Sequence, residues 1–269
     1  MHTNSWQRVA GVLALALFAG AAGADDARAR LEAAVADSAR AGANRARDAD
    51  RHPVETLTFF GLEPEMTVVE LWPGRGWYTE ILAPVLAGEG RLVAAQLPPE
   101  APQEYAQRLA RAYADLLAAD PDRYGEVEVV PFMPPTHACL GRAGSADLVL
   151  TFRNLHNWLA AGTLDQVFQA AYAVLRPGGT LGVVEHRAAP GTSVDAMKKS
   201  GYVTEDYAIE RATAAGFELA ARSGVNANPR DTKDHPEGVW TLPPTLRLGD
   251  RDRARYQAIG ESDRMTLRF

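Results

Sequence analysis

A short apolar run, Met66–Leu71 (MTVVEL), leads through a turn with two glycines, Gly74 and Gly76, into a helical stretch, Tyr78–Leu86. A strand that passes through such a turn into a helix returns beside itself in parallel, because the helix must cross one face of the sheet. The chain repeats this unit. Strands are predicted at Arg91–Gln96, Val127–Val130, Asp147–Thr151, Thr180–Glu185 and Phe217–Ser223, and Met265–Phe269 alternates like a terminal strand. Asp147–Thr151 is so continuously apolar that both of its faces should be covered.

Helices are predicted between them. One spans His52–Phe60, with Pro53 near its start and Gly61 closing it. A second spans Pro102–Ala119, where Leu109, Tyr113, Leu116 and Leu117 fall at helical spacing. Thr163-Leu164-Asp165-Gln166 fits a capping box for a helix to Leu175, ended by Arg176-Pro177-Gly178-Gly179. Thr204 caps a last one that Gly216 stops. The alternation predicts an α/β fold: a doubly wound, mostly parallel sheet within one domain, 52–269. Residues 25–51, rich in Ala and Arg, read as a solvated helical lead-in, and 224–260 as an irregular insertion before the last strand.

Residues 1–24 contain Arg8 and no acid, followed by an uncharged run from Val9 to Ala24 that ends in Ala22-Gly23-Ala24. This pattern predicts a secretory signal cleaved after Ala24, the alternative being an uncleaved anchor. Either way the globular part would be exported, to the periplasm or beyond, and no later stretch is apolar enough to span a bilayer. The single cysteine, Cys139, lies far from the cleavage point, which excludes lipid attachment there, and it has no partner for an internal disulfide. With 28 Lys+Arg against 34 Asp+Glu the chain has a net charge of −6 and no basic footprint for nucleic acid.

Ligands of such sheets sit beyond the C-terminal ends of the strands, which directs attention to Glu70–Thr79, Gln96, Phe152–Trp158 and Glu185–Arg187. Gly74 and Gly76 allow a tight turn and close approach of a ligand, and the next helix offers unpaired N–H groups. A dinucleotide fingerprint is missing: Thr79 replaces its third glycine and Gln96 its acid. His156 and His186 follow the fourth and fifth strands, where each would serve as a base or as a structural histidine. Glu185 would hold substrate or, preferably, pair with Arg187. Arg153 would bind an anion or act structurally, and Trp77 and Tyr78 would line the pocket or pack. His137-x-Cys139 lacks a second ligand pair, so no metal centre is expected. Asn226–Glu237 would form either a lid or a charged, mobile surface loop.

VVELWPGRGWYT resembles the first motif of class I S-adenosylmethionine-dependent methyltransferases. GRLVAAQ, ADLVLTFRNLHNW and LRPGGTLGVVEHR resemble their second-, fourth- and fifth-strand regions, over roughly 53–223. The wording ELWPG-x-GWYTEIL is similar to that of a group of exported predicted methyltransferases. The resemblance implies a seven-stranded Rossmann-like methyltransferase sheet with an antiparallel last strand, and S-adenosylmethionine as cofactor. By that resemblance Glu70, Gly74 and Gly76 line the methionine part, Gln96 meets the ribose, and Phe152–His156, with Arg153 and Asn154, edge the pocket near the sulfonium. Trp72 and Tyr78 belong to the same cofactor wall. Trp72 stands where the family has its first glycine, and Gln96 replaces the family's ribose-binding acid without charge assistance.

The implied activity is methyl transfer to a small molecule or envelope component. One alternative is an exported ligand-binding protein on the same fold without transfer activity. The other is a hydrolase or lyase that uses His156 or His186. No Asn/Asp-Pro-Pro-aromatic motif of base methylases follows the fourth strand, in keeping with the absence of a nucleic-acid footprint.

Overall fold

The computed structural model describes residues 26–269; the signal segment expected at 1–24 lies outside the described residues. A helix at 26–36 (α1) precedes the short helices α2 (Gly42–Arg45) and α3 (Asp48–Arg51), and then α4 (Pro53–Phe60). The strand–helix units follow: β1 (Thr67–Leu71), α5 (Thr79–Leu86), β2 (Arg91–Gln96), α6 (Glu104–Ala119), α7 (Pro121–Tyr124), β3 (Glu128–Pro131) and β4 (Ala146–Phe152). Next come α8 (Leu155–Ala161), α9 (Leu164–Val174), β5 (Leu175–His186), α10 (Val194–Ser200), α11 (Glu205–Ala214), β6 (Ala221–Ser223), α12 (Arg253–Ile259) and β7 (Arg264–Arg268). No helix among the described residues is long and apolar enough to cross a membrane.

One sheet of seven strands has the order β3-β2-β1-β4-β5-β7-β6. The first five strands are mutually parallel, while β7 runs antiparallel to both β5 and β6. Period-two alternation divides the strand side chains between two cores. Val69, Leu71, Val93, Ala95 and Val149 join one with Trp158, Val167 and Phe168, whereas Val68, Leu92, Leu148 and Leu150 join the other with Leu57, Phe60 and Ile81. Each fully buried Val, Leu, Ile or Phe contributes roughly 1.5–3 kcal/mol. β1 and β4, covered on both faces, form the rigid centre from which the site projects.

Several local expectations are corrected. Thr163 makes no side-chain cap: its ψ of 4° departs from the extended backbone of a capping residue. Thr204, at ψ 146°, does cap α11 by accepting from the Tyr207 amide. Arg176–Gly179 do not precede β5 but bulge within it, since Ala146 pairs with Leu175 and Leu148 with Thr180. β6 is shorter than the predicted Phe217–Ser223 because only Ala221–Ser223 find partners on β7.

The lead-in is docked rather than solvated. Leu31 joins the second core, and the Arg40 and Arg51 side chains are buried. Arg40 donates to the Val35 carbonyl and forks onto both Asp48 oxygens at 2.8 and 2.9 Å. The 224–260 segment contains a 3₁₀ turn, Gly238–Thr241, as well as α12. Asp231 pins it from inside, accepting from Tyr202 Oη, the Lys233 amide and the Asp263 amide, and facing His235 Nε2 at 2.9 Å.

Candidate functional site

The turn after β1 begins with a rung that extends the sheet: the Trp72 amide donates to the Ala95 carbonyl at 2.8 Å. The chain then enters left-handed backbone at Trp72 (φ 48°), Gly74 (65°) and Gly76 (83°). For a tryptophan this conformation carries strain of order 1–3 kcal/mol, and the surroundings hold it. Its indole N–H donates to the Phe132 carbonyl at 2.7 Å, and its ring meets Trp158 edge-on at 5.2 Å. The Asn154 amide donates to the carbonyls of Leu71 (3.0 Å) and Trp72 (3.3 Å), tying the turn to the end of β4.

The two glycines do different work. A Cβ on Gly74 would meet nothing within 4 Å, and this residue faces a cavity. A Cβ on Gly76 would lie 2.1 Å from Leu116 Cδ2, so here glycine lets α6 pack against the turn. Glu70 lies behind the turn, accepting from Thr79 Oγ1 at 2.7 Å, with Tyr113 Oη 3.2 Å from the same hydroxyl. Burial pushes its carboxyl up to about 7, against the opposing effect of the Thr79 hydrogen bond. Gln96 donates to the Gly74 carbonyl at 3.0 Å and accepts from the Leu97 amide at 2.8 Å. Tyr78 stacks on Phe152 at 3.4 Å between centroids.

A cavity of about 350 Å³ opens at the C-terminal ends of β1, β4 and β5. Of the residues singled out from sequence, Trp72, Gly74, Trp77, Phe152, Arg153, Asn154, His156 and His186 line it, and Glu70, Gly76, Tyr78, Gln96 and Glu185 do not. Trp72 stands between this cavity and the apolar cluster of Leu97, Ala101 and Ala106. The 239–245 stretch contributes Trp240 and Pro243–Thr245 to the wall, whereas none of Asn226–Glu237 reaches it.

His156 is buried and bonded twice to Glu185: Nδ1 lies 3.0 Å from Oε1, and its amide donates to Oε2 at 3.2 Å. Glu185 also accepts from the His186 amide at 2.7 Å. The expected Glu185–Arg187 pair is therefore absent; Arg187 instead forks onto Asp263 (3.0 and 2.7 Å) and reaches Glu205. His186 Nδ1 meets Ser262 Oγ at 2.5 Å, and the two imidazoles are 5.3 Å apart. Burial, followed by the charges of His156, Arg153, Arg264 and Arg51, holds His186 well below the usual histidine range.

Sequence reasoning missed one wall entirely. Arg47 and Arg51 of the lead-in line the cavity together with Glu261 and Ser262. Glu261 is shared by Arg47 (2.6 Å), Arg51 (3.3 Å) and Arg264 (3.1 Å). Burial pushes its carboxyl up, but the surrounding arginines prevail and hold it at about 2. The available signal was the polar run Glu261-Ser262-Asp263-Arg264 immediately before an apolar strand.

His156, Glu185 and His186 also bring donor atoms within 4.8 Å of one another, the one such grouping among the described residues. The fields of Arg51, Arg153 and Arg264 that suppress the charge on His186 would oppose a divalent cation as well. His137 and Cys139 bond locally, to Thr136 and the Gly141 carbonyl.

No family model matches the sequence, and no curated protein matches it. Solved structures do. An S-adenosylmethionine-dependent methyltransferase from Aquifex aeolicus superposes with a TM-score of 0.52 at 16% identity, covering 67% of this chain and 87% of that one. The [4+2]-cyclase SpnF superposes with a TM-score of 0.56 at 16% identity, covering 87% and 84%. The chain has the class I methyltransferase fold. At these identities the likeness is one of fold, and that fold is host to more than one chemistry.

Proposed function

We propose that this protein is an exported S-adenosylmethionine-dependent methyltransferase acting on a small-molecule or envelope-component acceptor. One observation carries the reading: a single cavity joins the open side of Gly74 in the methyltransferase-type turn to a buried His156–Glu185 pair. The bound cofactor would supply an electrophilic methyl carbon. Its methionine half would lie against the turn's main chain at Gly74, which is open on the cavity side, and the end of β4 anchored by Asn154. The nucleoside half requires Trp72 to leave the Phe132 carbonyl and Gln96 to release Gly74.

Glu185 accepts from two backbone amides as well as from His156 Nδ1. An acceptor so placed selects the Nδ1–H tautomer and leaves the Nε2 lone pair as the ring's base. Nε2 would take the proton from an acceptor O–H or N–H, and the resulting imidazolium would be held by Glu185. The cavity walls would orient the acceptor, and such positioning supplies much of the acceleration in a displacement of this kind.

Calorimetric titration with S-adenosylmethionine and with its demethylated product tests the reading. Saturable heat with either supports it, and no heat with both overturns it. The closed positions of Trp72 and Gln96 favour a second reading, a ligand-binding protein without transfer activity, which predicts silence with both nucleosides and binding of another small molecule. Export is tested by fractionating the host: protein in the envelope fraction supports it, starting at Asp25 if the leader is cleaved or at Met1 if it stays as an anchor, and protein confined to the cytoplasm contradicts it.

A further inference from the structure

Positive charge in the cavity exceeds what the protein itself neutralises. Arg51 is 1% exposed, stacks over Trp77 at 4.5 Å and spends only Nε, on Glu261. Its Nη1 and Nη2 are buried without a hydrogen-bond partner, as is Nη2 of Arg47. Arg153, held at φ 63° where β4 ends, makes no side-chain hydrogen bond or ion pair among the described residues. The one carboxylate in the wall, Glu261, is already divided among three arginines. Buried guanidinium N–H groups without acceptors are costly, and a fork of them matches the oxygens of a carboxylate or phosphate.

We infer that Arg51 and Arg153, with Arg47 beside them, bind an oxyanion of the ligand, a phosphate or a carboxylate of a dianionic small molecule. His156 and His186 line the same cavity as these arginines, so the anionic group would share it with the proposed base. Burial pushes Arg153 down to about 10, and the neighbouring Arg264 and Arg47 act in the same direction against Glu261. An arriving anion relieves that repulsion. The inference names the acceptor class for the proposed transferase; it rests on that reading for what happens to the ligand and not for its binding.

Titration calorimetry of the protein with inorganic phosphate and, separately, with malonate tests the site and distinguishes the two oxyanions. Saturable binding of at least one is expected, weakened at least tenfold by Arg153→Gln, which breaks no internal bond, and by Arg51→Met. The control Arg251→Gln, at an exposed position, should bind like the parent. If Arg51→Met fails to fold, Arg153→Gln carries the comparison. Binding of neither anion, or equal binding by Arg153→Gln, overturns the inference whatever the nucleoside result. Competition between phosphate and the demethylated cofactor would assign the arginines to the cofactor's own carboxylate, and would also overturn it. Anion binding with no nucleoside binding would sustain the site and remove the transferase reading.

Discussion

His156 gives Glu185 both its ring Nδ1, at 3.0 Å, and its backbone amide, at 3.2 Å, so one carboxylate fixes the imidazole's tautomer and the start of α8 together. Glu185→Gln would present an amide NH₂ to part of this donor set. The ring is expected to switch to the Nε2–H tautomer, visible in ¹⁵N-resolved spectra of the imidazole. Turnover should fall by roughly 10²-fold or more, as for loss of a general base. An unchanged tautomer would separate Glu185 from the chemistry.

Glu70 makes stability depend on pH in an unusual direction. Its folded carboxyl titrates at about 7 against an ordinary 4.5, so above pH 4.5 the unfolded chain ionises while the folded chain still holds its proton. The contribution of the protonated group is complete below pH 4.5, declines up to about 7 and is lost above it. Glu70→Gln keeps a neutral partner for Thr79 throughout. Between pH 4.5 and 8 its stability relative to the parent should therefore rise by about 3 kcal/mol, read from urea unfolding at the two values.

The lead-in is expected to be part of the site. Arg40 holds it through Asp48, with Glu80 3.6 Å away and nearly buried. Arg40→Met leaves those carboxylates without their cation and should cost about 3–5 kcal/mol in urea unfolding. Undocking would also carry Arg47 and Arg51 away from the cavity, so anion affinity should fall alongside stability.

The sequence showed most of the sheet and half of the site. β1, β2 and β4 were legible because each is a run of apolar residues between turn signals, and the C-terminal-edge rule then selected His156, His186, Arg153 and Asn154. α8 and α10 were not foreseen. α8 is only seven residues long and buried around much of its circumference, so it shows no polar face; α10 buries only Met197. The arginine wall was missed for a different reason, although the polar run Glu261–Arg264 marks one side of it. Arg51 meets Glu261 across 210 positions, and no local pattern encodes that contact. The short-range pairing of Glu185 with Arg187 failed because each side chain found a better-placed partner from another element.

Asp231 is the internal anchor of the insertion. Its carboxylate satisfies two backbone amides and Tyr202 and faces a buried His235. Asp231→Ala strands those donors and should destabilise the protein by about 2–4 kcal/mol. Faster hydrogen exchange is expected through 239–245, the stretch that forms one cavity wall.

Binding of S-adenosylmethionine at this turn depends on Trp72, and a crystal structure of the protein with the demethylated cofactor settles it. An amino-acid tail is expected against Gly74, with the indole turned away from the Phe132 carbonyl and the thioether sulfur facing His156. Trp72 still bonded to Phe132, with no nucleoside at the turn in a saturated crystal, would contradict it.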